Sequence, residues 1–121
     1  MHELSIANSV VEIAREHAEN ERAENVQSIT LRIGALACVH KNALNFSFEL
    51  VSKETPLEGA ELKIIDLPVK IFCSPCQQEV ELPGIQQFRC PRCQTPSADI
   101  RQGRELDIES IEIVERATAT T

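Results

Sequence analysis

Tryptophan and tyrosine are absent from this 121-residue chain, and phenylalanine occurs four times. Proteins that bind single-stranded nucleic acids use aromatic side chains as stacking platforms, and this sequence offers few of them. Basic residues are also in the minority, with 12 Lys and Arg against 19 Asp and Glu. The resulting net charge of −7 has the wrong sign for contact with a phosphate backbone. Both shortages argue against a nucleic-acid partner.

Long apolar runs are missing as well. No stretch approaches the roughly 18 apolar residues that a transmembrane helix needs, and the start of the chain, residues 1–4, does not have the basic and then apolar order of a signal peptide. We therefore expect a cytoplasmic protein that does not enter a membrane. In that compartment the five cysteines are expected to be metal ligands or buried thiols rather than disulfides.

The apolar pattern predicts an α+β fold. Apolar residues recur at helical spacing in two segments and alternate with polar residues in others. The predicted elements are helices at residues 4–22 and about 42–52 and strands at residues 28–34, 60–67 and 105–114. A change of register near residues 109–110 predicts a bulge in the last strand. The simplest arrangement is a three-stranded sheet with two helices on one face.

The cysteine-rich segment interrupts this fold between the last two strands. Residues 1–68 and 101–116 are therefore predicted to form the α+β domain, and residues 69–100 an inserted lobe. Residues 117–121 are small and polar, which predicts a flexible tail.

Four of the cysteines have the spacing of a zinc ribbon: Cys73, Cys76, Cys90 and Cys93. Two residues between paired cysteines allow one tight turn to direct both sulfurs at a common point, and two such turns complete a tetrahedron. Four thiolates close the coordination shell, so the site is predicted to be structural. Iron in a rubredoxin-like site and two reducible disulfides are the alternatives; iron would give a red, redox-active protein, whereas zinc is colourless.

The segment between the cysteine pairs is predicted to form a hairpin, with residues 79–82 outgoing, a turn at Pro83-Gly84 and residues 85–89 returning. In many such turns a glycine follows the second cysteine, where a positive φ is favoured. Gln77 and Gln94 occupy these positions here, which predicts slight backbone strain without loss of a ligand.

The amino terminus is a second candidate metal site. The α-amine of Met1, the deprotonated amide nitrogen of His2 and the His2 imidazole can chelate one ion in fused rings. Square-planar nitrogen ligation of this kind favours Ni²⁺ or Cu²⁺. On the residues alone, an exposed histidine at a frayed chain end is the competing interpretation.

Three further residues are weaker candidates. His40, just before the second predicted helix, is either a metal-capable residue or an exposed loop histidine near a helix start. His17 borders the apolar face of the first helix, where a packing or surface role is expected. Cys38 lies between Ala37 and Val39, which favours a small buried hydrophobic residue.

Read together, the two candidate sites resemble those of the HypA/HybF family of hydrogenase nickel-incorporation proteins. The similarity begins at residues 1–5, Met-His-Glu-Leu-Ser, and extends over nearly all of residues 1–116. Its other motifs are Arg32-Ile33-Gly34 with Leu36, Phe46-Ser47-Phe48-Glu49, Glu58-Gly59-Ala60 with Leu62, the two cysteine pairs, and Gly103-Arg104-Glu105-Leu106 followed by Ser110-Ile111-Glu112.

The resemblance implies a small nickel metallochaperone that delivers Ni(II) to the large subunit of [NiFe]-hydrogenase and, in some organisms, to urease. It further implies the GTPase HypB as a partner. The sequence leaves open whether the chain is a monomer or a homodimer. Nickel would bind His2 with backbone nitrogens near Met1 and Glu3, and structural Zn(II) would bind the four cysteines. Residues 1–68 and 101–116 would then be the nickel-binding domain.

Functions from other classes compete with this one. A zinc-ribbon interaction module without nickel cargo would need only the four cysteines. An enzyme is not expected, because the sequence shows no nucleophile paired with a base, no phosphate loop and no open metal site. An iron-containing electron carrier would be recognised by its optical spectrum.

Overall fold

The computed structural model describes residues 2–115. Met1 and the predicted flexible tail, residues 117–121, lie outside the described residues. In chain order the elements are α1 (Glu3–Asn20), β1 (Ala23–Gly34), α2 (Lys41–Ser52), β2 (Glu61–Leu67), β3 (Lys70–Cys73), β4 (Gln78–Glu81), β5 (Ile100–Gln102) and β6 (Leu106–Glu115). A 3-10 turn, Ala35–Ala37, follows β1.

The strands form two three-stranded sheets. The first has the order β2-β1-β6 and the second the order β4-β3-β5. Two helices with the first sheet make the predicted α+β fold, which is confirmed. The second sheet is formed around the cysteine segment, and its strands β3 and β5 were not predicted. β6 is assigned as one continuous strand, and the bulge near residues 109–110 stays a prediction.

Helix α1 buries the face that its spacing predicts, except that Ile6 is buried in place of Leu4. Five of the six apolar residues predicted to line α1 are buried: Ala7, Val10, Val11, Ala14 and Ala18. The sixth, Leu4, lies in the first turn and is 51% exposed, while Ile6 is buried four residues before Val10. In β1 the predicted alternation is confirmed, because Ile29, Leu31 and Ile33 are all buried. Burial of each such side chain contributes about 1.5–3 kcal/mol.

The chain forms two compact units. Within the described residues, unit 1 comprises residues 2–31, 39–64 and 108–115, and unit 2 comprises Arg32–Cys38 and Ile65–Asp107. Unit 2 has its own core: Val69, Ile71, Cys73, Val80, Leu82 and Cys90. It is larger than the lobe predicted at residues 69–100, because residues 32–38, 65–68 and 101–107 also belong to it.

A close backbone contact holds residues 34–36 inside unit 2. The Gly34 amide donates to the Glu105 carbonyl at 2.8 Å, and the Leu36 amide donates to the Gly103 carbonyl at 2.8 Å. The Leu36 side chain packs against the core of unit 2. A side chain at position 34 would overlap the backbone carbonyl of Gly103. Gly103 itself has φ +129, a conformation that favours glycine.

Gly34→Ala is therefore expected to destabilise unit 2 by about 1–3 kcal/mol, because the added methyl group forces two backbone segments apart. Chemical denaturation followed by segment-resolved hydrogen exchange measures the effect. Gly84→Ala is the matched control, since a Cβ at position 84 meets no heavy atom within 4 Å. Equal stability of the two variants would contradict the close contact.

A polar bridge links the three strands of the first sheet within unit 1. The hydroxyl of Ser28, which is buried in β1, donates to Glu112 Oε1 at 2.8 Å. Lys63 Nζ in β2 lies 3.3 Å from the same oxygen. The hydrogen bond from Ser28, followed by the interaction with Lys63, lowers the pKa of Glu112. The buried hydroxyl is thereby satisfied by a carboxylate on the neighbouring strand.

Glu112→Gln is expected to lower the free energy of unfolding at neutral pH, with a difference from wild type that shrinks in acid. A carboxyl group whose pKa is lowered by folding stabilises the protein above its unfolded pKa, and this contribution disappears as the pH falls through the folded pKa. Urea denaturation between about pH 3 and pH 7 measures the difference. Glu109→Gln, at an exposed position of the same strand, is the control and should show no such trend.

None of the helices among residues 2–115 combines the length and the apolar character required to cross a membrane.

Candidate metal centres

The first cysteine pair lies in the turn of a hairpin. β3 ends at Cys73 and β4 begins at Gln78, and these two residues are partners in the antiparallel pairing. The Gln77 amide donates to the Ser74 carbonyl at 3.2 Å, which closes the turn. Gln77 has φ +55, so the residue after the second cysteine adopts the predicted left-handed conformation.

The second cysteine pair is held by a similar turn. The Cys90 amide donates to the Thr95 carbonyl at 3.0 Å, and the Gln94 amide donates to the Cys90 carbonyl at 2.8 Å. Arg89 and Pro96 form an isolated antiparallel bridge on either side of the turn. Gln94 has φ +64, as predicted. Both turns thus use glutamine in a conformation that glycine adopts with less strain.

The predicted hairpin between the two cysteine pairs is wrong. Residues 79–81 do lie in β4, but their partner is β3, and residues 85–89 do not form a returning strand. The reason is that each cysteine turn reverses the chain itself. β3 therefore pairs with β4 on one side and with β5 on the other. Just before β5, the Asp99 carbonyl accepts a 2.9 Å hydrogen bond from the Phe72 amide.

The two turns bring all four sulfurs within 4.8 Å of one another. The Sγ atoms of Cys73 and Cys93 are 3.4 Å apart, those of Cys76 and Cys93 3.8 Å, and those of Cys76 and Cys90 3.9 Å. A tetrahedral zinc ion with Zn–S bonds of about 2.3 Å requires S–S separations of about 3.8 Å. The donor set and its spacing therefore fit zinc. Within residues 2–115 these four cysteines are the one group of three or more candidate metal ligands.

The four thiols differ in burial and in acidity. Cys73 and Cys90 are fully buried in the core of unit 2, Cys76 is half-buried and Cys93 is exposed. Hydrogen bonding with the Thr95 side chain and then with its backbone lowers the pKa of Cys93 to about 6. Hydrogen bonds with Cys73 and then Cys93 raise the pKa of Cys76 to about 12. Neighbouring thiols thus resist carrying negative charge together, and a cation at their centre relieves this repulsion.

Thr95 is a neighbour of the site that the cysteine spacing alone does not reveal. Its hydroxyl oxygen lies 3.2 Å from Cys93 Sγ. A hydroxyl residue two positions after the last cysteine is the sequence signal that could have identified it.

His2 lies at the N-cap position of α1 and is exposed. Its carbonyl accepts the first helical hydrogen bond, from the Ile6 amide at 3.2 Å, but its side chain makes no capping hydrogen bond. The imidazole is thus available for a ligand. Glu3, the first residue of α1, is half-buried. Met1 lies outside the described residues, so its role in nickel binding stays a prediction.

His40 differs from His2 because its imidazole caps a helix. The His40 Nδ1 accepts a hydrogen bond from the Ala43 amide at 3.1 Å, at the start of α2. His17 is exposed on α1, which agrees with a surface role.

The prediction that Cys38 is buried is wrong: Cys38 is exposed, with φ +53 directly after the 3-10 turn. The left-handed backbone at Cys38 ends this turn on the surface, which the local apolar pattern does not predict.

Most of the chain is similar to known proteins. A family model described as hydrogenase/urease nickel incorporation, metallochaperone, HypA, matches residues 1–113. The hydrogenase maturation factor HypA of Chloroflexus aurantiacus is 47% identical over 112 residues, which cover 93% of this chain and 98% of that protein. The maturation factor HybF of Escherichia coli is 38% identical over 113 residues, covering 93% and 99%.

A solved structure shares the fold. The solution structure of the Ni metallochaperone HypA from Helicobacter pylori is 25% identical in sequence and superposes with a TM-score of 0.65, covering 96% of this chain and 100% of that one.

Proposed function

Because this chain belongs to the HypA family of hydrogenase and urease nickel-incorporation metallochaperones, we propose that it binds Ni(II) at its amino terminus and delivers the ion for maturation of [NiFe]-hydrogenase. The observation that carries the proposal is the family match over residues 1–113, which includes both His2 and the four cysteines. The family consists of metallochaperones and maturation factors rather than catalysts, so the prediction that this chain is not an enzyme is confirmed.

The helix start supports a nickel site on His2. The first four backbone amides of an α-helix have no partner within the helix. The amide nitrogens of His2 and Glu3 can therefore release their protons to solvent and bind Ni²⁺ without breaking a helical hydrogen bond. The His2 imidazole is not used for capping, and the α-amine of Met1 completes the fused chelate. Such square-planar nitrogen ligation favours Ni²⁺ over Zn²⁺, which prefers a tetrahedron.

The exposure of the site also suits a carrier. An acceptor protein can replace the ligands one at a time, because His2 is exposed and its side chain has no hydrogen bond to break at the helix cap. Nickel is thus the cargo of the chain. The acidic surface, with a net charge of −7, attracts a divalent cation.

Zinc on Cys73, Cys76, Cys90 and Cys93 is proposed as the structural metal. The sulfur separations of 3.4–3.9 Å support it, and four thiolates leave no open position for catalysis. The proposal further includes the GTPase HypB and the hydrogenase large subunit as partners, and a cytoplasmic location, where thiols remain reduced. Urease is a second recipient to be tested.

Titration of Ni²⁺ into the untagged chain tests the proposal. We expect one nickel ion per chain and the d–d absorption of a square-planar site. A variant with two residues added before Met1 should bind at least roughly tenfold more weakly, because the α-amine is displaced. Unchanged affinity of the extended chain would show that the amine is dispensable.

Delivery is tested separately in cells. Deletion of the gene should abolish hydrogenase activity, and added nickel should restore it. A chain that retains zinc but binds no nickel would instead be a zinc-ribbon interaction module.

A further inference from the structure

The metal site has an inner and an outer side. Each cysteine turn contributes one fully buried cysteine, Cys73 or Cys90, and one cysteine that is at least partly exposed, Cys76 or Cys93. Of the outer pair, Cys76 is half-buried and Cys93 is exposed. A reagent in solution therefore reaches the four ligands with unequal ease, and it reaches Cys93 first.

Thr95 lies directly beside Cys93, the most exposed of the four cysteines. Its hydroxyl oxygen is 3.2 Å from Cys93 Sγ. Its position is held by the backbone, since the Thr95 carbonyl accepts a 3.0 Å hydrogen bond from the Cys90 amide. As a thiol, Cys93 donates to this oxygen. A zinc-bound thiolate has no proton to donate, so the Thr95 hydroxyl then donates to the sulfur, withdraws electron density from it and makes it a weaker nucleophile.

We propose that Cys93 is the modification site at which peroxides and other soft electrophiles attack the zinc centre, and that the Thr95 hydroxyl restrains this attack. The inference rests on the zinc assignment made under the proposed function. Its consequence is that modification of one exposed side chain releases the metal, because the remaining three thiolates no longer close the tetrahedron.

The chemistry requires only the thiolate and the electrophile. With a peroxide, the Cys93 sulfur forms an S–O bond, the O–O bond breaks and hydroxide leaves, so that sulfur is oxidised to a sulfenic acid and the peroxide is reduced. With a maleimide, the sulfur forms a C–S bond to one alkene carbon, and the other alkene carbon takes a proton from water. In both reactions the sulfur loses the electron pair that it shared with the metal.

Ordered alkylation tests the first part of the proposal. The zinc-loaded chain carries Cys38→Ser, because Cys38 is an exposed thiol outside the cluster that would react independently. N-ethylmaleimide is added below one equivalent, the modified peptides are identified by mass spectrometry, and released zinc is followed with a chromogenic chelator. We expect Cys93 to be modified first, with zinc release at the same rate. Modification of Cys73, Cys76 or Cys90 as early as Cys93 would overturn the inference.

Thr95→Val tests the second part, because it removes the hydroxyl and keeps the side-chain shape. Both the modification of Cys93 and the release of zinc should accelerate by roughly threefold or more. Ser74→Ala is the control, since it removes an exposed hydroxyl from the first cysteine turn and should leave both rates unchanged. Equal rates for Thr95→Val and wild type would show that Thr95 does not restrain the thiolate.

Zinc content measured before any reagent is added distinguishes failure of the zinc assignment from failure of this inference. A chain isolated without zinc overturns the zinc assignment and this inference with it. A chain with one zinc per molecule whose cysteines react in no fixed order overturns this inference alone.

Discussion

Replacing His2 with alanine is expected to abolish stoichiometric Ni²⁺ binding while the zinc content of the chain stays unchanged. The imidazole is the one side-chain nitrogen of the proposed chelate. Without this anchoring ligand, the amide nitrogens of His2 and Glu3 do not release their protons to solvent and bind Ni²⁺ at neutral pH. Because the His2 side chain makes no capping hydrogen bond, its loss should leave α1 intact. Isothermal titration measures Ni²⁺ binding, metal analysis measures the zinc content, and circular dichroism measures the helix content.

His40 provides the control for this experiment. Its Nδ1 caps α2, so alanine at this position would remove a cap as well as an imidazole. His40→Asn removes the imidazole and keeps a good N-cap residue. Unchanged nickel affinity in His40→Asn would assign the site to the amino terminus, whereas a loss equal to that of His2→Ala would make His40 a ligand. Full nickel binding by His2→Ala would contradict the proposed site.

Cys73→Ala is expected to eliminate zinc and unfold unit 2. Cys73 is a proposed ligand and is also fully buried in the core of that unit. Zinc on such a site contributes about 10 kcal/mol or more of folding free energy, which is comparable to the whole stability of a small domain. Segment-resolved hydrogen exchange should show loss of protection over Ile65–Asp107 and also over Arg32–Cys38, since residues 34–36 are bonded to Gly103 and Glu105.

The same measurement should show retained protection in unit 1. Its buried residues come from α1, α2, the first part of β1 and, between α2 and β2, Leu57, and they include no cysteine. Cys38→Ala is the matched control, because it removes the exposed cysteine outside the cluster and should keep both zinc and protection. Loss of protection in α1 and α2 of Cys73→Ala would show that the two units fold together.

Local patterns predicted the helices and the first sheet well. The spacing of Val10, Ala14 and Ala18 places them on one side of a helix, and all three are buried. The alternation of Ile29, Leu31 and Ile33 likewise predicts their burial in β1. These periodicities arise from backbone geometry, which acts over neighbouring residues. Helix ends were less accurate: α1 begins at Glu3 and ends at Asn20 rather than spanning 4–22, since Arg22 adopts φ +54.

Long-range pairing was harder to predict. β5 has three residues and pairs with β3 across the whole cysteine segment, so its own sequence carries no strong strand signal. The burial of Cys38 was also predicted wrongly. Apolar neighbours do not determine whether a residue with a left-handed backbone conformation lies in the core or on the surface.

The four-cysteine site of unit 2 was predictable from the sequence in some respects and only from the tertiary structure in others. The sequence by itself identified the four cysteines whose sulfurs the structure brings together and the two positions in their turns with a positive φ, because a C-x2-C turn depends on adjacent residues alone. Only the tertiary structure decided that Cys73 and Cys90 face the core while Cys93 faces solvent beside Thr95. Burial depends on the core that the two buried cysteines share with Val80 and Leu82, against which Leu36 and Ile100 pack. Leu36 and Ile100 are distant from Cys73 in the chain, and no local spacing specifies that packing.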